Sequence, residues 1–240
     1  FTTKKPDPAA PAALEAPPTT LTVKAGLNRV VWNLRHDQAV PVPGLYVFGT
    51  LQGRRVLPGN YQVRLTAGGK TLTAPLTVRM DPRVDTPLTE LQTQDSLSMK
   101  ATAQLDELHR TVIRLRDARS QIEGLMKRTK GASGGEAIEQ AGQSLVDKLN
   151  ALEETLVQKR VVDGQTVINF PQRLNQYFIY LRSAIDGSDA GITDGQQARL
   201  AALSEEWARQ QRTAGTLFGD EVAAFNRLVR DRNVPAVVVK

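Results

Sequence analysis

The spacing of apolar residues changes once along this chain, at Asp81-Pro82, and no other feature limits the possible folds as strongly. Before this point apolar and polar residues alternate, which is typical of half-buried β-strands. After it, apolar residues recur about every 3.5 positions, which is typical of helices that pack along one another. Strands followed by helices predict an α+β protein with two modules, a β module over 21–84 and an α-helical bundle over 85–240.

Two single strands are predicted at the start of the β module, over 21–26 and 28–35. The second strand would place Val30, Trp32 and Leu34 on one face.

A β-hairpin is predicted next, within residues 57–83, with its turn in the sequence "AGGK" and its end at Asp81-Pro82. Pro58-Gly59 supplies the bend before the hairpin and is expected to fix its register. Trp32 is expected to bury a large surface in the β module.

The two ends of the chain have their own character. Residues 1–20 are rich in proline and predict an extended linker. The sequence "VPAVVVK" predicts a short strand-like tail. The chain begins with Phe and shows no apolar signal segment, so we expect a processed chain or a piece of a longer protein.

Residues 87–129 are predicted to form one helix of about 60 Å. Thr86 is expected to be its N-cap, with Pro87 at the first helical position. Arg119 is the charged member of an otherwise apolar seam, which comprises Leu91, Ala101, Leu105, Leu108, Val112, Leu115, Ile122 and Met126.

Three further helices are predicted, over 135–160, from Pro171 to about 185, and from 194 to about 231. The last begins at a capping box formed by Thr193 and Gln196, and Gly219 is a candidate kink. A small hairpin is predicted around Asp163-Gly164. Four amphipathic segments with short connections predict an antiparallel four-helix bundle.

Residues suited to catalysis or metal binding are sparse. The chain has no cysteine, which excludes disulfides and thiol chemistry. His36 is expected in a loop and His109 at a solvated or half-buried helix position, without the spacing of a metal site. The sequence "DGSDAGITD" (186–194) resembles a calcium loop, but Ala190 and Gln197 stand where ligands are required, so a turn and N-cap are favoured. We therefore predict no catalytic, cofactor or metal-binding residue, and no enzymatic activity in this chain.

The net charge of +6 comes from interspersed charges. Basic residues between His109 and Lys130 are spread around the predicted helix, so nucleic-acid binding is not expected. No apolar run approaches the ~18 residues of a membrane span.

Several motifs resemble a known family. They are "AGLNRVVWNLR" (25–35), "PGLYVFG" (43–49), "PGNYQVRL" (58–65), "DPR" (81–83), "NFPQRLNQYFIYLRSAI" (169–185) and "FNRLV" (225–229). Together they resemble the region that follows the propeller in large bacterial proteins with sortilin-like, Asp-box (BNR-repeat) β-propellers, often labelled glycosyl-hydrolase-like. Asn33 departs from the family pattern, which usually has Asp at this position.

The resemblance implies an incomplete immunoglobulin-like antiparallel β-sandwich in the β module, with early strands supplied from elsewhere. It implies a non-catalytic C-terminal structural or protein-interaction module of a secreted or periplasmic bacterial protein. The expected partners are the upstream β-propeller, in the same protein or a separate chain, and other envelope proteins; any hydrolytic site would lie in that propeller. The alternative is a coiled-coil, partner-binding subunit or fragment of a multi-protein cell-envelope complex. The residues expected to carry structure and interaction are Trp32, Arg35, Pro58, Gly59, Tyr61 and Trp207.

Overall fold

A computed structural model describes residues 23–160 and 169–232. It confirms a mixed α+β protein in which helices accompany one small antiparallel sheet. The elements are β1 (Gly59–Ala67), β2 (Lys70–Val78), α1 (Leu88–Thr129), α2 (Gly135–Leu156), α3 (Leu174–Asp186), α4 (Asp194–Thr216), a π-helical turn (Leu217–Glu221) and α5 (Val222–Asp231). The predicted linker over 1–20, the hairpin around Asp163-Gly164 and the C-terminal tail lie outside the described residues.

Helix α1 is the central element of the helical part. Its predicted seam is confirmed, because every apolar seam residue is buried except Met126, which is half-buried. Arg119 reaches across to α2, where it donates to Asn150 and to the buried Glu153, each through Nη1. The charged seam position is therefore used for an ion pair between two helices.

The start of α1 differs from the prediction. The helix begins at Leu88 and has no side-chain cap. The Thr86 hydroxyl instead donates to the backbone carbonyl of Asp189, in the loop after α3. The Thr86 hydroxyl thus binds a distant loop instead of capping the helix that follows it.

Helices α2, α3 and α4 pack on α1, and α5 packs on α2 and on the π-helical turn. All of them contribute to one apolar core. The capping box at the start of α4 is confirmed, since Gln196 and Thr193 exchange bonds of 2.9 and 3.2 Å. Gly219 lies in the π-helical turn that joins α4 to α5. We call α1 to α5 the helical core.

The hairpin of β1 and β2 is confirmed, and its turn residues Gly68 and Gly69 have φ of 54° and 74°. Positive φ at both central residues is the geometry of a type I′ turn, which glycine adopts without strain.

The strand predicted over 28–35 is wrong. The backbone there is irregular, Leu34 has φ of 57°, and a single bridge joins Arg35 to Arg55. Alternation alone did not produce a strand because no strand among the described residues lies beside this segment to pair with it. Residues 23–26 are not a strand either. Within the described part of the chain the sheet has two strands, so the sandwich is not seen.

Residues 35–56, which we call the connecting segment, lie on the helical core. Ala39, Val42 and Leu51 are buried in the common core. The backbone of this segment is held by side chains of α1 and α3: Val40 N–H donates to Asp106 at 2.7 Å, and Phe48 exchanges bonds with Gln176. A part of the predicted β module is therefore fixed to the helices.

His109 corrects another expectation, because it is fully buried and not solvated. The connecting segment covers it, and its Nδ1 lies 2.5 Å from the Val40 carbonyl oxygen. Burial lowers the pKa of His109, against the opposing effects of the Val40 carbonyl and Asp106; Arg182 adds to the lowering. The imidazole is therefore held neutral, with Nδ1–H as donor.

Candidate functional site

The structure brings together five of the six residues that the sequence predicts for structure and interaction. Trp32, Arg35, Pro58, Gly59 and Tyr61 all lie at the base of the hairpin, where it meets the helical core. The sixth lies apart from this group. Trp207 on α4 is 2% exposed in the helical core, and its indole N–H donates to Glu107 of α1 at 3.3 Å.

Trp32 and Tyr61 form an aromatic pair at the hairpin base. Their rings meet edge to face, with centroids 5.8 Å apart and planes inclined by 67°. The Trp32 indole N–H donates to the Arg35 carbonyl, and the Tyr61 hydroxyl donates to the Leu57 carbonyl at 2.6 Å. The pair links the first strand to the segment before it. Trp32 is only half-buried, so its expected deep burial in a sandwich is not observed.

Arg35 connects the hairpin base to the helical core. Its guanidinium donates to the Gly53 carbonyl at 2.8 Å and forms an ion pair with Asp186 at the end of α3. Arg55, which bridges to Arg35, reaches the same carboxylate through its backbone N–H at 3.2 Å and its side chain. One carboxylate therefore receives two arginines, and we call Arg35, Arg55 and Asp186 the anchor.

The loop after α3 strengthens this connection. Arg55 also pairs with Asp189 at 2.9 Å and donates to the Ser188 carbonyl. From α1, Gln94 donates to the Ser188 carbonyl at 2.9 Å, and Arg54 pairs with Asp95 at 2.5 Å. The hairpin base, α1 and the loop are thus tied by charged groups that are mostly half-buried.

A cleft of about 280 Å³ lies between the hairpin base and the helical core. Its charged lining consists of Arg35, Arg54, Arg55, Arg79, Asp81, Asp95, Asp186 and Asp189. Most of these groups are used in the pairs just described, so the cleft is lined mainly by neutralised pairs.

The sequence analysis did not identify Arg55 or Asp186 as contact residues. Residues 186–194 were interpreted as a helix stop, a turn and an N-cap, which the structure contains, but the carboxylates also serve the anchor. Among the described residues, no group of three or more potential ligands is placed to hold a metal ion. Because Arg55 and Asp186 are 131 positions apart, no local pattern could have paired them.

The hairpin has two unlike faces. The register pairs Tyr61 with Leu76, Val63 with Ala74 and Leu65 with Leu72, which places these side chains on one apolar face. This face is open: Val63 is 52%, Leu65 56% and Leu72 67% exposed. The other face carries Asn60, Gln62, Arg64, Thr66 and their partners on β2.

The hairpin and the segment before it carry basic residues and no acidic ones. Residues 23–34 and 57–80, which we call the β surface, contain no acidic residue. Their basic residues form no ion pair within the described part of the chain; these are Lys24, Arg29, Arg64, Lys70 and Arg79. The segment adds exposed apolar side chains beside the hairpin, namely Val23, Leu27, Val30, Val31 and Leu34.

Elsewhere, Asp81 and Glu206 have shifted pKa values because they accept hydrogen bonds from neighbouring side chains at the surface. A hydrogen bond from Arg83 lowers the pKa of the exposed Asp81, and bonds from Gln210 and Arg209 lower that of Glu206. No described helix has both the length and the apolar character needed to cross a membrane. The arrangement therefore offers a surface for contact, apolar and basic, on a hairpin held firmly at its base.

Comparison with known proteins adds no further identification: no family model, no curated protein and no solved structure matches this chain.

Proposed function

We propose that this chain is a non-catalytic structural and protein-interaction module that docks through its β surface. The observation that carries the proposal is the open apolar face of a well-formed hairpin. An isolated two-stranded hairpin is at best marginally stable in water, and an apolar face of this kind is normally covered. A hairpin fixed at its base and open on its apolar face suits the role of an unfinished sheet that a partner completes.

The resemblance described above suggests the partner. In that family the chain would be the C-terminal module of a secreted or periplasmic sortilin-like β-propeller protein, and an immunoglobulin-like sandwich would be completed by strands outside residues 23–232. The β surface would then dock on the propeller region or on strands that follow it. The helical core would project away from the contact.

The alternative role as a free coiled-coil subunit is less favoured by the structure. Its interaction surface would be the seam of α1. That seam is occupied by α2, α3 and α4 of the same chain, so it is not open to a partner.

The test is a binding measurement between the 240-residue chain and the polypeptide encoded immediately upstream in the same gene, by isothermal titration calorimetry. In the key variant, Val63, Leu65 and Leu72 are all replaced by Thr, which keeps the β propensity and makes the apolar face polar. We expect binding of the unchanged chain and a loss of about tenfold or more in the variant, because burial of these side chains is lost.

The matched control is Met99→Gln, which makes an equally exposed apolar residue of α1 polar (51% exposed). It should bind as the unchanged chain does. Equal affinity of the threonine variant and the control would contradict docking through the apolar face. Absence of binding by the unchanged chain would contradict the proposed partner.

A further inference from the structure

The two edges of the hairpin differ in their ability to pair with another strand. The two-residue turn makes Ala67 and Lys70 a hydrogen-bonded pair, and bonded and non-bonded pairs alternate from there. The N–H groups of Asn60, Gln62, Arg64 and Thr66 therefore point outward from β1. None of them has a partner in the part of the chain that the structure describes.

On β2 the outward positions are Thr71, Thr73, Pro75 and Thr77, by the same register. Pro75 has no N–H, and its ring obstructs a neighbouring strand. Proline at the middle of an edge is a common means of preventing edge-to-edge pairing. The edge of β2 is thus closed to strand addition, and no described residue pairs with the edge of β1.

The charge of the β surface limits what can be added. Lys24, Arg29, Arg64, Lys70 and Arg79 carry no compensating acid, and Arg64 lies at the centre of the open edge. A second copy of this chain would bring a second Arg64 to that edge, so like charges oppose self-pairing. Residues 1–20 are unsuited in sequence, because proline lacks the donor that strand pairing requires.

We propose that the edge of β1 accepts one extended strand of a partner protein in which acidic and apolar residues alternate. Its backbone pairs with the outward groups of Asn60, Gln62, Arg64 and Thr66. Its apolar side chains extend the face formed by Tyr61, Val63 and Leu65. Its acidic side chains lie on the opposite face, beside Arg64. This inference rests on the proposed function and names the chemistry by which the β surface docks.

The test uses synthetic nine-residue peptides, capped at both ends, and the whole 240-residue chain. One peptide alternates Glu and Val, a second alternates Lys and Val, and a third has the composition of the first in scrambled order. Fluorescence anisotropy of the labelled peptides gives each dissociation constant. The Glu-Val peptide should bind more tightly than the other two, and Arg64→Glu should reverse the preference between the two alternating peptides.

Proline substitutions locate the edge. Gln62→Pro removes an outward donor of β1, and Thr73→Pro removes one of β2; neither breaks a bond between the two strands. Gln62→Pro should weaken Glu-Val binding by about tenfold, and Thr73→Pro should leave it unchanged. An unchanged near-ultraviolet circular dichroism spectrum, to which the Trp32–Tyr61 pair contributes, is the check that each variant keeps the hairpin base.

Each result decides the inference. Equal effects of the two prolines, no preference for the Glu-Val peptide, or dimerisation of the chain through the hairpin would overturn it. Binding of anionic phospholipid vesicles or duplex DNA in place of the peptide would also overturn it. The proposed function can be judged separately. If binding of the upstream polypeptide is lost in the threonine variant but retained in Gln62→Pro, docking through the β surface is supported and strand addition at the β1 edge is refuted.

Discussion

Replacement of Asp186 by Asn tests whether the anchor holds the hairpin base on the helical core. Asn keeps the shape of the side chain and removes the negative charge that Arg35 and Arg55 share. Arg35 would keep its hydrogen bond to the Gly53 carbonyl. Arg55 would keep its ion pair with Asp189 and its hydrogen bond to the Ser188 carbonyl. The change therefore weakens the anchor without removing every contact.

The expected magnitude follows from exposure. A hydrogen bond to a charged group contributes about 1.5–3 kcal/mol when shielded from water, whereas an exposed ion pair contributes about 0.2–1 kcal/mol. The Arg35–Asp186 pair is about a fifth exposed on each side, and Arg55 is 38% exposed. The contribution of the Arg35–Asp186 pair to stability therefore falls between the two ranges, and that of the Arg55–Asp186 pair lies near the lower range. We expect a loss of about 2 kcal/mol in the free energy of unfolding, which lowers Tm by about 4–8 °C for a chain of this length.

Thermal unfolding followed by circular dichroism measures the effect, with Asp81→Asn as the matched control. Asp81 also pairs with an arginine, Arg83, but both partners are exposed and close in sequence. The control should shift Tm by no more than about 1 °C. If Asp186→Asn and Asp81→Asn have the same Tm, the anchor does not stabilise the fold and the reasoning from burial is refuted.

Three further predictions test the helical core, two of them with a control substitution. Because burial lowers the pKa of His109 below that of the unfolded chain, the unfolded chain binds more protons below about pH 6.5 and stability should fall there with decreasing pH. His109→Asn should remove this slope in urea unfolding, whereas the exposed His36→Asn should retain it. Thr193→Ala should cost about 1 kcal/mol by removing the capping box of α4, measured from the urea midpoint. Gly124→Ala should stabilise α1 by about 0.5–1 kcal/mol, since nothing lies near the added carbon. Gly142→Ala should lose this gain, because its added carbon would lie 2.6 Å from the sulfur of Met126. Equal melting temperatures of the two variants would contradict the packing of α1 on α2.

The elements that the sequence predicted well are those whose signal is local. The seam of α1 repeats over many turns, and the box of Thr193 and Gln196 is complete within four residues. The hairpin carries its own turn in Gly68-Gly69. In each case the residues that form the element also stabilise it, so reading the sequence locally was sufficient.

The features that the sequence did not predict depend on distant partners. The segment over 28–35 alternates as a strand does, but among the described residues it pairs only at its end, where Arg35 bridges to Arg55. Thr86 was expected to cap α1 and binds the loop after α3 instead. His109 lies at the flank of the seam, and the connecting segment, about 70 positions earlier, contacts it and helps to bury it. Burial and pairing of this kind are properties of the tertiary structure.

The candidate site shows the same division. Trp32, Arg35, Pro58, Gly59 and Tyr61 were selected from motifs and do meet at the hairpin base. Asp186, the acidic partner that joins Arg35 to the end of α3, was not identified from any motif.

The measurement that most directly tests the account is hydrogen–deuterium exchange of the hairpin amides, in the chain alone and in the presence of the upstream polypeptide. Alone, the outward amides of β1, at Asn60, Gln62, Arg64 and Thr66, should exchange rapidly, because they lack partners. In the complex they should become protected, while those of Thr71, Thr73 and Thr77 on β2 stay fast. Protection of β2 and not of β1, or no change in either strand, would contradict docking at the open edge.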